Sequence, residues 1–522
     1  MNNAHEFRAA TSVRTSQSAP TTRQLLVEGG DTRLALDPIT GRNRYGCPTT
    51  PDATLADFGS STASVISQRG FDAAERLREG LYRADPRGPG PAAYAEAMER
   101  LRGGLIGLCG LQDMTGLDVI FSPSGTDLHL IIAELMGATP ASPLVCIDVE
   151  PEETGSGVPA ALCGQHFGEH ASLGAPVLQG GAIGTSSHRF VAVACRAADG
   201  SLRTEIEVEA QLHAVAREAV GAGGRVLLAV SDVSKTGLIS PSLAAVAAFK
   251  ARFGPAAEIV IDACQFRLTP ESLRAYLDQG CMVAVTGSKF LSGPSFSGAL
   301  FVPPSVAERL RGRLISPGMR AYSTRGEWPS GWVAGQTMAE ATNLGLLLRW
   351  EAALAELAAF RALPSDAVGS FTSRFAQAVQ ARLNDDPLFD PLEIRPLDRA
   401  ALGGGTGWDL TPTIFPFLLR HAPGGRGGCL SLAATQDVYR GLCAEPFPPQ
   451  ASVLRARLGQ PVRCGVRDER PLSALRICNS ARLIVEAVSG GEPAAKSVVD
   501  RALAVLDRTA EGVRRLSATG RV

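Results

Sequence analysis

Three stretches of the chain end in residues that could act together on a small molecule. The apolar run 259–261 delivers Asp262, with Gln265 three positions on; the run 281–285 delivers Thr286 and Lys289; the run 119–121 leads into Ser122-Pro123-Ser124-Gly125-Thr126. A lysine amine can form a Schiff base with a carbonyl when burial or neighbours suppress its charge. A carboxylate on an adjacent strand end can keep a heterocyclic nitrogen protonated. A turn of Ser, Gly and Thr that opens a helix can hold an anion, because unpaired amides and the positive end of the helix dipole face it. Each feature has a plainer reading by itself. Ser and Thr are ordinary helix caps, Asp262 could cap or pair, and Lys289 could be a solvated loop lysine.

Elements must bring these residues together. Helical spacing follows the cradle at 128–136, and strands are expected at 143–148, 224–230 and 298–302. Helices are expected at 205–220, 241–253 and 270–279. This alternation predicts an α/β fold, a three-layer large domain over 61–335 built on a mainly parallel sheet. In such a sheet the carboxyl ends of parallel strands share one edge, where ligands bind. Residues 1–60 read as an N-terminal arm, partly flexible, and 71–104 as helix broken at 85–91. A long helix at 332–360 leads out of the large domain, and 336–522 reads as a smaller α+β C-terminal domain. Its strands are expected at 413–418 and 475–478, its helices at 430–442 and 494–516, and its glycine loops at 403–407 and 424–428.

With 522 residues, 45% of them hydrophobic, and a formal charge of -1, the chain is long enough for more than one core and carries no charge excess that would call for nucleic acid or a membrane surface. Of 51 basic residues only four are lysines, at 235, 250, 289 and 496, so a lysine at a strand end is not background. The 11 cysteines are scattered singly, and neither they nor the seven histidines have ligand spacing, so no metal and no disulfide framework is expected. No apolar run is long enough to cross a bilayer, and a cytoplasmic enzyme is the expectation.

Lysine, aspartate for a ring nitrogen and an anion cradle are together what pyridoxal 5'-phosphate requires of a protein. The order Ser124-Gly125-Thr126, Asp262-x-x-Gln265 and Thr286-Gly-Ser-Lys289, followed by Ser292-Gly-Pro294, resembles the fold-type I pyridoxal phosphate enzymes, and within them the class V aminotransferase and cysteine desulfurase group. The resemblance implies Lys289 as the Schiff-base lysine, Asp262 as the partner of the pyridinium nitrogen and Gln265 at the ring hydroxyl. It implies Ser124, Gly125, Thr126 and Thr286 at the phosphate. A second patch, Pro461-Val-Arg-Cys-Gly465 with Ala474-Leu-Arg476-Ile, is similar to the group's C-terminal region and implies Arg476 for a substrate α-carboxylate, which a guanidinium can bind with two parallel hydrogen bonds. It further implies a homodimer acting on an amino acid or other primary amine, most readily an aminotransferase, with a lyase or a β- or γ-replacement enzyme as alternatives.

Several positions depart from the group's pattern. Ser288 stands where many relatives carry His, and residues 231–237 offer Asp232, Ser234 and Lys235 where an Asn is usual; Ser234 is the candidate for the cofactor there. No aromatic residue follows the cradle at 150–157 to stack on the ring, and His166 is a substitute candidate. Cys429 and Cys464 lack the small-residue setting of a mobile desulfurase cysteine. Gly155-Ser-Gly157-Val-Pro-Ala160 also satisfies a dinucleotide fingerprint, but an acidic loop intervenes after the strand and Pro159 sits where a helix should run. A non-catalytic relative is the remaining alternative, and the joint presence of Lys289, Asp262, Gln265 and the cradle speaks against it.

Overall fold

A computed structural model describes residues 19–137, 139, 142–185, 188–405, 407–421, 428–444, 455–467 and 469–518. The glycine loop expected at 424–428 lies outside the described residues except for Gly428.

The centre is an eight-stranded sheet. With β1 at Leu55–Asp57 outside it, its strands are β2 (Asp118–Ser122), β3 (Leu144–Asp148), β4 (His188–Ala192), β5 (Arg225–Asp232), β6 (Ile239–Ser240), β7 (Ala257–Ala263), β8 (Met282–Thr286) and β9 (Gly298–Val302). The order is β2-β9-β8-β7-β5-β3-β4, with the short β6 on β5. β8, β7, β5, β3 and β4 are parallel, whereas β9 is antiparallel to both its neighbours, β2 and β8. Two antiparallel steps restore the direction, so β2 ends on the same edge as β7 and β8. The nearly continuous apolar runs follow from burial on both faces. Ile259, Ile261, Val283 and Val285 face one core, and Val260, Met282 and Ala284 the other.

Helices match the periodic stretches: Gln68–Ala84, Pro91–Leu108, Gly125–Met136, Glu205–Gly221, Leu243–Phe253 and Pro270–Asp278. The helix expected at 332–360 is instead a single turn, Val333–Gln336, followed by Leu344–Arg361, which Asn343 caps by accepting from the Leu346 amide at 3.0 Å. The C-terminal part carries β10 (Phe389–Pro391), β11 (Ile414–Leu419), β12 (Arg455–Arg457), β13 (Gly459–Arg467) and β14 (Arg470–Cys478). β10, β11, β14 and β13 form an antiparallel sheet in that order, and β1 runs parallel to β12. Residues 19–66 pack against the rest of the chain. Arg349, fully buried, donates to the carbonyls of Leu26, Glu28 and Gly29 and to that of Phe296 beside the lysine loop.

Candidate functional site

A cavity of about 290 Å³ opens where β2, β7 and β8 end. Ser124 caps the helix Gly125–Met136, accepting from the Asp127 amide at 3.3 Å. The cap leaves the amides of Gly125 and Thr126, in the first turn, without intrahelical acceptors. A side chain at Gly125 would meet Cys264 Sγ at 2.8 Å, so glycine is what allows the helix to start against the end of β7. Gly298 does the same for the strand pair: a Cβ there would lie 2.9 Å from the Ser124 carbonyl. Thr286 lines the same end but donates to the Cys264 carbonyl at 2.6 Å, so its hydroxyl is fixed as an acceptor toward the cavity. Arg33, from the N-terminal segment, reaches Thr126 and Ser124 at 3.4 Å, lies over the Phe296 ring and is paired with Asp31 at 2.6 Å.

Asp262 is buried at the end of β7, with Oδ1 accepting from the Cys264 amide at 3.0 Å. Its Oδ2 lies 3.4 Å from Nε2 of His129, a residue one turn into the cradle helix. At that separation, without hydrogen-bond alignment, the attraction is that of an ion pair. The other ring nitrogen lies 2.8 Å from the Gly125 carbonyl, which can only accept, so Nδ1 carries a proton. Burial opposes a charged ring, but the Asp262 carboxylate beside it, with smaller help from Asp148 and the Gly125 carbonyl, lifts His129 to about 9. Burial likewise opposes the Asp262 anion, and His129 overcomes it, holding the carboxyl well below its usual range. Asp148, at the end of β3, is pushed up to about 8 by burial, against the pull of His129. At neutral pH the set is therefore an imidazolium, the Asp262 carboxylate and a protonated Asp148.

Lys289 lines the cavity one turn beyond β8, and its loop is clamped by Ser64, whose hydroxyl donates to the Lys289 carbonyl at 2.7 Å and whose amide donates to that of Ser288 at 2.9 Å. Arg476, on β14, enters from the opposite wall. It is buried and donates to Thr62 Oγ1 at 3.0 Å and to the Gln460 carbonyl, while its Nε has no partner among the described residues. Gln265 sits just behind the cavity wall, donating to the Ser61 carbonyl at 3.0 Å, with a buried Oε1 left unpartnered.

Ser234 is placed differently from its expected position. Its hydroxyl turns away from the cavity and donates to Glu153 Oε2 at 2.6 Å. The same carboxylate accepts from the Thr236 amide and hydroxyl and pairs with Arg196 at 3.2 Å. With both neighbours tied to Glu153, it is Lys235 that lines the cavity, donating to the Pro151 carbonyl at 3.3 Å. Burial above all, then Arg476 and Lys289, lower Lys235 to about 7, with Glu153 and Glu152 opposing. His166 is held by Tyr322, 2.7 Å from its hydroxyl and stacked on its ring, and does not line the cavity. From 150–158 the cavity receives Thr154, Gly155, Ser156 and Val158, while its aromatic residues are Tyr45 and Phe296. Cys429 contacts Asp390 and Arg467, and Cys464 is buried on β13; neither lines the cavity. Gly155 to Ala160 lead into a helix of five residues, Val158–Leu162, too short to present a dinucleotide-binding terminus.

Sequence reasoning missed Arg33, His129 and the inward position of Lys235. His129 had a signal, a lone histidine four residues after Gly125 in an apolar helix, hence on the face beneath it. Arg33 had none, since its approach to the cradle depends on how residues 19–66 cross the molecule.

No protein-family model and no curated protein matches the chain. Solved structures match in fold. A cysteine desulfurase from Escherichia coli superposes with a TM-score of 0.51 at 14% identity, covering 87% of this chain and 94% of its own. A NifS-like protein gives 0.51 at 11% identity, covering 86% and 99%. A C-DES mutant with glycine covalently linked to its PLP cofactor gives 0.51 at 15%, covering 87% and 99%; C-DES is a cystine C-S lyase whose reaction product is cysteine persulfide. The chain therefore has the fold-type I architecture expected from its sequence.

Proposed function

We propose that the protein is a pyridoxal phosphate-dependent enzyme acting on an amino acid, with Lys289 as its Schiff-base lysine. The observation that carries this reading is the convergence in one cavity of Lys289, the His129-Asp262 pair and the Gly125 cradle with Arg33. Donor chemistry fits the cofactor. A cationic helix terminus suits a phosphate, an anion kept ionised by a buried imidazolium suits a pyridinium nitrogen, and the Arg476 guanidinium lining the cavity suits a carboxylate. Bound there, the cofactor would supply an electron sink for charge developing at the substrate Cα. Ser124, Gly125, Thr126 and Arg33 would hold its phosphate, joined by Thr286 only if its hydroxyl turned from the Cys264 carbonyl, and Asp262 would keep its ring nitrogen protonated. Arg476 would bind the substrate carboxylate, and the Lys289 amine would take and return the Cα proton.

Elimination or another lyase reaction is favoured over the transamination suggested by the sequence. The solved structures of similar fold include a desulfurase and a C-S lyase. Among the described residues the thiol lining the cavity is Cys264, which burial and then Asp262 push well up, so it stays protonated and is a poor nucleophile. A homodimer and a cytoplasmic location remain part of the proposal; no helix among the described residues is long and apolar enough to cross a membrane.

The test is borohydride reduction of the protein loaded with pyridoxal phosphate, followed by peptide mapping. A label on Lys289, absent in Lys289→Ala, is expected; a label on Lys235, or a protein that takes up no cofactor, refutes the assignment. Single amino acids then separate the reactions: release of ammonia with a keto acid marks elimination, and accumulation of the aminated cofactor marks transamination.

A further inference from the structure

The cavity carries more positive charge than its proposed cofactor and a simple amino acid would use. Arg33, Arg44, Lys235, Lys289, Arg476 and His129 line it, against Asp262 as the acidic residue among the described lining. Arg33 is satisfied by Asp31, and His129 by Asp262. Lys289 would be used by the cofactor and Arg476 by an α-carboxylate. Arg44 is exposed and left to solvent, so Lys235 is the half-buried cation left over. Among the described residues no carboxylate lies within ion-pairing distance of it or of Arg476, and its recorded partner is the Pro151 carbonyl. Its position is built rather than incidental. Ser234 and Thr236 on either side are tied to the one Glu153 carboxylate, the Lys235 amide donates to the Glu153 carbonyl at 2.8 Å, and Val233 is held in the left-handed region at φ 59 to make the turn. A β-branched residue at positive φ is strained and persists where surrounding contacts enforce it.

We propose that the substrate is an amino acid whose side chain bears its own anionic group, a carboxylate or sulfonate, bound by Lys235 while Arg476 binds the α-carboxylate. This deepens the function proposed above and rests on it. Lys235 is half-buried and opens onto the cavity, so an ammonium there without a counter-ion becomes costly once an apolar substrate expels the cavity water. A second anion arriving beside Arg476 would satisfy both cations at once. The groups facing Lys235 are Arg476, Lys289, Glu153 and Glu152, and their balance leaves it near the edge of ionisation at about 7. An anionic ligand would draw a proton onto Lys235, so its binding should weaken as pH rises through 7 and beyond.

The test compares succinate with propionate by isothermal titration of the protein saturated with pyridoxal phosphate, which occupies the cradle. Succinate is expected to bind more tightly than propionate. Lys235→Met should weaken succinate roughly ten- to a hundredfold, the size of one charge-assisted contact, and leave propionate within about twofold. Lys235→Arg, which keeps the charge, should retain the preference and controls for a folding defect in the methionine variant. Between pH 6 and 9 the succinate affinity should fall while that of propionate holds. Equal affinities in the wild type, or equal weakening of both ligands in Lys235→Met, overturns the inference while leaving the cofactor assignment standing. A chain that takes up no pyridoxal phosphate overturns both.

Discussion

Replacing His129 by Gln removes the cation beside Asp262 while keeping a polar side chain of similar length. The imidazole moves from its ordinary 6.5 to about 9 on folding. Because the folded value lies above the unfolded one, the stabilisation is fully present below about 6.5 and is lost as pH rises through 9. Integrated over that shift, protonation contributes on the order of 3 kcal/mol at pH 5 and somewhat less at pH 7. Urea unfolding of wild type and His129→Gln without added cofactor, run from pH 6 to pH 10, should therefore show a gap on the order of 2 to 3 kcal/mol at pH 7 that closes by about pH 10. A gap that is constant across this range, or absent at pH 7, would refute the claim that a protonated His129 holds Asp262 ionised.

Gly125→Ala brings a methyl group to 2.8 Å from Cys264 Sγ, which displaces the first turn of the cradle helix. Absorbance titration should show pyridoxal phosphate binding at least about tenfold weaker, since one misaligned charged contact costs that much; an unchanged Kd would dissociate the cradle from the phosphate. Arg349→Met strips one buried donor group from the carbonyls of Leu26, Glu28, Gly29 and Phe296. Timed trypsin digestion with mass mapping should then cut within 26–44 well before wild type, and cofactor affinity should fall with the displacement of Arg33. Equal digestion rates would show that other contacts hold this segment.

The large sheet was legible because its strands are buried on both faces, which writes them as unbroken apolar runs such as 259–261 and 281–285 that end at polar residues. Parallel order then places Asp262 and Thr286 on one edge without further information. The edge strand β4, half-exposed, carries no such run and was not read. The single helix read at 332–360 is two because Asn343 caps the second, and apolar spacing is continuous enough on both sides to hide the break.

The sequence by itself determined the strand ends and with them Asp262, Thr286, Lys289 and the cradle, because local periodicity and turn chemistry act within a few residues. Tertiary structure alone decided what stands around them. His129 becomes the partner of Asp262 because the cradle helix lies against β7, and Arg33 reaches the cradle because Arg349 ties down a segment more than 300 positions away in the chain. Ser234 and Lys235 are adjacent, and residue type could not tell which faces the cavity. That choice was made by Glu153, buried some 80 positions earlier, whose carboxylate draws in Ser234 and Thr236 alongside Arg196 and leaves Lys235 to line the cavity.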